Sequence, residues 1–172
     1  MRWLMMTAIL LATVVPGRCA VVKKLLATDG GGPNLIQADA WGPWEKGFER
    51  QGDLFVCDNG EDATVQRGVG QTVVLNQETP QPIVAAAWSK AENVGGARDR
   101  EYSLYLDLLY TDGTPLWGQT AAFSAGTHDW ERRQVTVLPA KPVKQVTFYM
   151  LFRRHAGRAL FRGAELRQVA TP

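Results

Sequence analysis

His128-Asp129-Trp130 sets an imidazole, a carboxylate and an indole in three consecutive positions, directly before the alternating run ERRQVTVL. Three kinds of chemistry suit such a triplet: part of a catalytic relay, a loop that grips a sugar, or the entrance to a β-strand. A relay needs a nucleophile or a metal beside it. The chain has no G-x-S-x-G elbow, no H-E-x-x-H, no paired C-x-x-C and no second histidine near the first, so nucleophilic and zinc chemistry lack their parts. GVGQT, residues 68–72, lacks the lysine of a phosphate loop. Two opposed carboxylates suffice for a glycosidase, yet among 17 acidic residues no pair stands out. The reading is a non-enzyme. In the structural account of the triplet, Thr127 and Asp129 close a turn through side-chain hydrogen bonds, and Trp130 opens the next strand with its ring buried.

A second constellation is built on two-residue spacing: Trp88 with Lys90, Tyr105 with Asp107, and Tyr149 with Arg153. In a strand, residues i and i+2 share a face, so each pair sets an aromatic ring beside a charged group. A pyranose asks for that combination, a ring against its apolar face and a few planar polar groups for its hydroxyls. Each member has a plainer account: Trp88 as core, Lys90 and Arg153 as solvated charges. Trp117, in the turn DGTPLWG, and His128 are the loop alternative for sugar contact.

The elements that must position these residues are strands. Apolar and polar residues alternate repeatedly, bounded by Gly, Pro, Asn and Asp, with almost no helical periodicity. The clearest runs are residues 71–76, 82–92, 101–111, 119–124, 130–138, 143–154 and 158–169, with shorter ones in NLIQ, KGFERQ and LFVCD. In the third run Tyr102, Leu104, Leu106, Leu108 and Tyr110 form the core face, and in the sixth Val146, Phe148, Met150 and Phe152 do the same. So many strands in one domain predict an all-β antiparallel sandwich of jelly-roll type.

Residues 1–20 carry an early charge at Arg2, an apolar run and a Pro16-Gly17 break, the layout of a secretory signal peptide. Residues 21–33, with the glycine-rich DGGGP, read as a stem or linker, residues 34–169 as the domain and residues 170–172 as a tail. Removing Arg2 and Arg18 with the leader leaves basic and acidic side chains equal, at 17 each, which takes away the electrostatic footprint of a nucleic-acid binder. The charge is uneven, with nine Lys/Arg and one acid from Arg132 onward against eight acids between Asp29 and Asp62. Acidic N-terminal strands that neutralise basic C-terminal ones would account for this. Cys57 is expected as a buried strand residue without a disulfide, in a monomeric secreted or cell-envelope protein with no membrane span after the leader.

The run AWSKAE, then YSLYLDLLYTDGTPLWGQTAAFSAGTHDWERRQV, then KPVKQVTFYMLFRRHAGRALF resembles the galactose-binding-like jelly-roll modules attached to secreted bacterial glycoside hydrolases and polysaccharide lyases. The likeness spans residues 34–169. It implies a non-catalytic carbohydrate-binding module with a polysaccharide or oligosaccharide as partner; the alternative is a structural or protein-binding β-sandwich of the cell envelope. Modules of this type often end on a strand with two consecutive aspartates that help to hold a structural calcium. Here the sequence is Phe161-Arg162-Gly163-Ala164. The expectation is therefore no cofactor and doubtful calcium, with Asp39, Glu49 and backbone carbonyls left as partial ligands.

Overall fold

The computed structural model describes residues 32–169; the leader, most of the stem and the tail lie outside the described residues. The ten strands are β1 (Gly42–Glu45), β2 (Glu49–Gln51), β3 (Leu54–Gly60), β4 (Gln66–Val74), β5 (Ile83–Val94), β6 (Tyr102–Tyr110), β7 (Pro115–Ala122), β8 (Gly126–Val137), β9 (Val143–Arg153) and β10 (Gly157–Gln168). They form two five-stranded antiparallel sheets, a front sheet in the order β1-β4-β9-β6-β7 and a back sheet in the order β2-β3-β10-β5-β8. The expected all-β antiparallel sandwich is the observed fold, and no helix occurs among the described residues.

The core lies where the period-two faces meet. The front sheet contributes Val69, Leu104, Leu106, Leu108, Val146, Phe148, Met150 and Phe152. Opposite them the back sheet sets small residues on β5, Ala85, Ala87 and Ala91, beside larger ones such as Ile83, Phe161 and Leu166. This large-against-small pairing lets the two inner faces interdigitate at crystal-like density. One end is filled by rings: Tyr102 lies 5.2 Å from Phe123, 5.4 Å from Phe152 and 6.0 Å from Phe161. Burying its phenol is permitted because the hydroxyl donates to Ser89 Oγ, which in turn donates to the Leu160 carbonyl.

Cys57 is a free, fully buried thiol on β3, as the alternation of LFVCD requires. NLIQ is not a strand; instead Leu35 N–H donates to the Leu166 carbonyl while Asn34 caps the same backbone through its side chain. β4 starts at Gln66, five residues before its expected start, and β7 starts at Pro115.

The sandwich is stitched along the side where edge strands β7 and β8 lie. Arg133 on β8 donates to the Ala122 carbonyl on β7 at 2.9 Å and pairs with Glu131 at 2.6 Å, while Glu131 accepts the Ser124 N–H.

Among the described residues, six of the nine basic side chains from Arg132 onward meet carboxylates, mainly acids other than those expected. Arg153 pairs with Glu101, Lys141 with Asp112, Arg133 with Glu131 and Arg167 with Glu165. Arg158 does reach an N-terminal acid, Asp58 at 3.8 Å, but lies closer to Glu92, at 3.1 Å. For Arg153 the reason is topological. Its strand β9 sits between β4 and β6, so it meets Glu101 of the β5–β6 connection.

Candidate functional site

β5 and β6, consecutive in the sequence, join different sheets, and this divides the predicted site. β5 belongs to the back sheet and β6 to the front sheet. Trp88 and Lys90 therefore face solvent on one side of the molecule, whereas Tyr105, Asp107, Tyr149 and Arg153 face it on the other. Alternation had assigned each pair correctly to an outer face, but a face shared by Trp88 with the two tyrosines does not exist.

The front face is organised in rows by register. Gly70, Tyr149, Tyr105 and Thr120 lie side by side across β4, β9, β6 and β7. Beside that row run Gly68, Leu151 and Ser103, and on its other side Thr72, Thr147 and Asp107. The two tyrosine rings meet edge to face at 6.1 Å. Tyr149 leans over Gly70, where an added Cβ would lie 2.7 Å from Tyr149 Cε1, and Leu151 covers Gly68, where it would lie 2.9 Å from Leu151 Cδ2. The glycines thus leave the room that these side chains occupy above the sheet.

Trp44 joins this face from β1, where it is paired with Gly68. The Arg153 guanidinium carbon is 5.3 Å from the Trp44 ring centre and 5.7 Å from that of Tyr105, within cation–π range of both. Its charge is compensated: Arg153 Nε is 3.1 Å from Glu101 Oε2. Asp107 accepts the Gly118 N–H at 3.0 Å, a contact made possible by a bulge in the β6–β7 pairing and by the left-handed backbone of Gly118. Burial, and then the Asp107 carboxylate, raise both phenols above their ordinary range, so both hydroxyls stay protonated donors at neutral pH. The Thr72 and Thr147 hydroxyls bridge at 3.0 Å. Next to them a depression of about 270 Å³ is lined by Gly42, Pro43, Gly70, Thr72, Thr147 and Tyr149, among others.

Trp117 is a strand residue of β7 rather than part of a turn; it is 59% exposed at the rim of this sheet, one residue before Gly118. His128 belongs to neither face. Its Nδ1 lies 2.7 Å from the Asp129 carbonyl and its Nε2 2.9 Å from the Ser124 carbonyl, so the ring ties β8 to the chain entering it. The triplet His128-Asp129-Trp130 lies inside β8, not at its entrance. Thr127 closes no turn with Asp129; its hydroxyl accepts the Asn93 N–H and donates to Asn93 Oδ1. Trp130 is half-buried under Arg162, whose guanidinium carbon is 3.9 Å from the ring centre.

On the back sheet Trp88 is paired with Arg162 on β10 and Arg132 on β8. Gly163, in the left-handed region at φ 59°, forms a β10 bulge, and a Cβ there would lie 3.0 Å from Trp88 Cδ1. Sequence reasoning did not find Trp44 or the two glycines. The signal for Trp44 was an indole two residues from Gly42 in a Gly-Pro context that reads as loop.

Among the described residues no group of three or more His, Cys, Asp or Glu side chains is placed to hold a metal ion.

No protein-family model matches the chain. The curated relatives include the tRNA nuclease WapA of Bacillus subtilis strain 168, which is 34% identical over 90 residues; the match covers 50% of this chain and 4% of that protein. Among solved structures, the tandem CBM22-1–CBM22-2 domain of Xyn10C from Paenibacillus barcinonensis superposes with a TM-score of 0.51 at 13% identity, covering 83% of this chain and 48% of that one. The enzymatically active domain of tailspike protein 4 from bacteriophage CBA120 also gives a TM-score of 0.51, at 7% identity, covering 79% of this chain and 21% of that one. At these identities the likeness is one of fold.

Proposed function

We propose that this chain is a secreted or cell-envelope carbohydrate-binding module without catalytic activity, which holds a polysaccharide or oligosaccharide on the outer face of its front sheet. One observation carries the reading: three aromatic rings, Trp44, Tyr149 and Tyr105, share the glycine-floored face of one sheet, with Arg153 between Trp44 and Tyr105 and with Asp107 and the two threonine hydroxyls along the other side of the tyrosine row. Flat rings meet the C–H faces of pyranoses, and the fixed polar groups select among hydroxyls. The geometry supports one role for each residue in this reading. Tyr105 and Tyr149 stack, Asp107 accepts from sugar hydroxyls, and Arg153, held by Glu101 between Trp44 and Tyr105, donates to ring and glycosidic oxygens. The fold likeness to the tandem CBM22 domain of Xyn10C supports the reading, and the leader-like residues 1–20 support an extracytoplasmic location.

The test is affinity electrophoresis of the full chain in gels containing neutral polysaccharides such as xylan, mixed-linkage glucan and mannan. Retardation in at least one gel is expected, and Tyr105→Ala or Tyr149→Ala should weaken it by about 1–3 kcal/mol, by analogy with ring stacking elsewhere. Retention that neither variant changes would remove the front face from the reading. Mobility unaffected in every gel would favour instead a structural or protein-binding sandwich of the cell envelope.

A further inference from the structure

The back sheet carries a second aromatic surface whose charge differs from that of the first. Trp88 is 36% exposed on β5, between Arg162 and Arg132. Lys90 lies two residues along the same strand face, about 7 Å away at the strand rise. Trp130 lies beneath Arg162 at 3.9 Å. Among the described residues neither Arg162 nor Lys90 is joined to a carboxylate, whereas Arg132 lies 3.8 Å from Glu165 and Arg158 is paired with Glu92. A guanidinium 3.9 Å from an indole ring centre, with no carboxylate on it, retains N–H groups for a planar anion, and its fork fits a carboxylate or sulfate in bidentate fashion.

We infer that the outer face of β5, β8 and β10 is a second, separate binding site, which takes an acidic oligosaccharide with a sugar ring on Trp88 and its carboxylate or sulfate on Arg162 and Lys90. Two observations separate this ligand from a nucleic acid. Among the described residues the cations of this face that no carboxylate meets are two, Arg162 and Lys90, flanked by Glu92 and Glu165, and beyond residues 1–20 the chain has 17 basic against 17 acidic side chains. A strand with a phosphate on every nucleotide needs a broader basic track. An acidic glycan has its charges spaced by sugar rings and needs a ring platform beside a local cation. The front face differs because its Arg153 already has Glu101 as partner.

Calorimetric titration of the full chain with an oligogalacturonate and with a sulfated heparin oligosaccharide tests the site and tells the two anion types apart. Binding of at least one is expected, weakening as salt rises. Trp88→Ala and Arg162→Gln should each reduce it by about tenfold or more, and Arg162→Gln should flatten the salt dependence. Should Trp88→Ala unfold the domain by circular dichroism, Arg162→Gln with Lys90→Gln reads the same site without touching the indole. Tyr149→Ala should leave acidic-ligand affinity unchanged, which keeps this result independent of the front-face reading. The inference fails if neither acidic oligosaccharide binds, if binding survives the Arg162 and Lys90 changes, if Tyr149→Ala abolishes it, or if single-stranded RNA competes for Trp88 more tightly than either glycan.

Discussion

The outer faces of the two sheets are built from the same residue types and differ in how those residues are held. On the front sheet the rings rest on Gly68 and Gly70, and the one arginine among them is ion-paired with Glu101. On the back sheet Trp88 lies against the bulge at Gly163, and Arg162 is fixed by a ring instead of by a carboxylate. An arginine fixed by an anion offers a rigid donor with little net field, while one fixed by a π face keeps its charge for an incoming anion. The position of the counter-ion, more than the count of basic residues, thus gives the two surfaces different chemistry.

The comparison breaks first at its glycines. Gly70→Val should push Tyr149 off the sheet, abolish front-face glycan retention and cost about 1–3 kcal/mol of stability through overpacking. Gly163→Ala, strained in its left-handed backbone and close to Trp88, should cost about 1 kcal/mol and affect only the back face. Urea unfolding with affinity electrophoresis checks both, and crossed effects would mean that the faces are coupled.

The core the two faces share is probed by pH. Burial pushes the Cys57 thiol up to about 12, with nearby Arg67 opposing weakly. A raised folded-state pKa contributes stability that is complete below the unfolded thiol value of about 8.5 and is lost as pH rises toward the folded value. Between about pH 8 and pH 10 the chain should lose about 2 kcal/mol that Cys57→Ala does not lose. Equal slopes for the two proteins, measured by urea unfolding, would show that the thiol is not sequestered as described.

The smallest effect expected is from chelation. Arg162 and Gly163 stand at the β10 bulge, in the stretch where the sequence resemblance implies paired aspartates. EDTA should therefore leave the melting temperature unchanged, whereas a fall of many degrees would reveal a bound ion stabilising by mass action.

Residues 104–110 and 146–152 were legible in the sequence because their apolar core residues recur at every second position, Leu104 to Tyr110 and Val146 to Phe152, with Leu151 as a buried exception on the outer face. β1 and the first half of β4 were not legible. Gly42, Pro43, Gly68 and Gly70 are poor strand formers taken singly, and at Gly68 and Gly70 the absent side chains leave room for Leu151 and Tyr149 from the neighbouring strand. Pro43 is tolerated because β1 is an edge strand. Half of the predicted binding set, Tyr105, Asp107, Tyr149 and Arg153, came together because β6 and β9 are adjacent. Trp88 and Lys90 separated from it because the connection from β5 to β6 changes sheets, and side-chain alternation is the same whichever sheet a strand joins.

The stitch between β7 and β8 has a consequence for how copies of this chain tolerate one another. Both are long strands with an open side, the usual template for runaway pairing. Arg133 and Glu131 occupy backbone groups of the Ala122–Ser124 turn, and at the far borders β2 has only three residues while Pro43 removes a donor from β1. Among the described residues each sheet border thus carries a feature that interferes with strand pairing by a second copy, which works against edge-to-edge zipping when molecules crowd on one polymer.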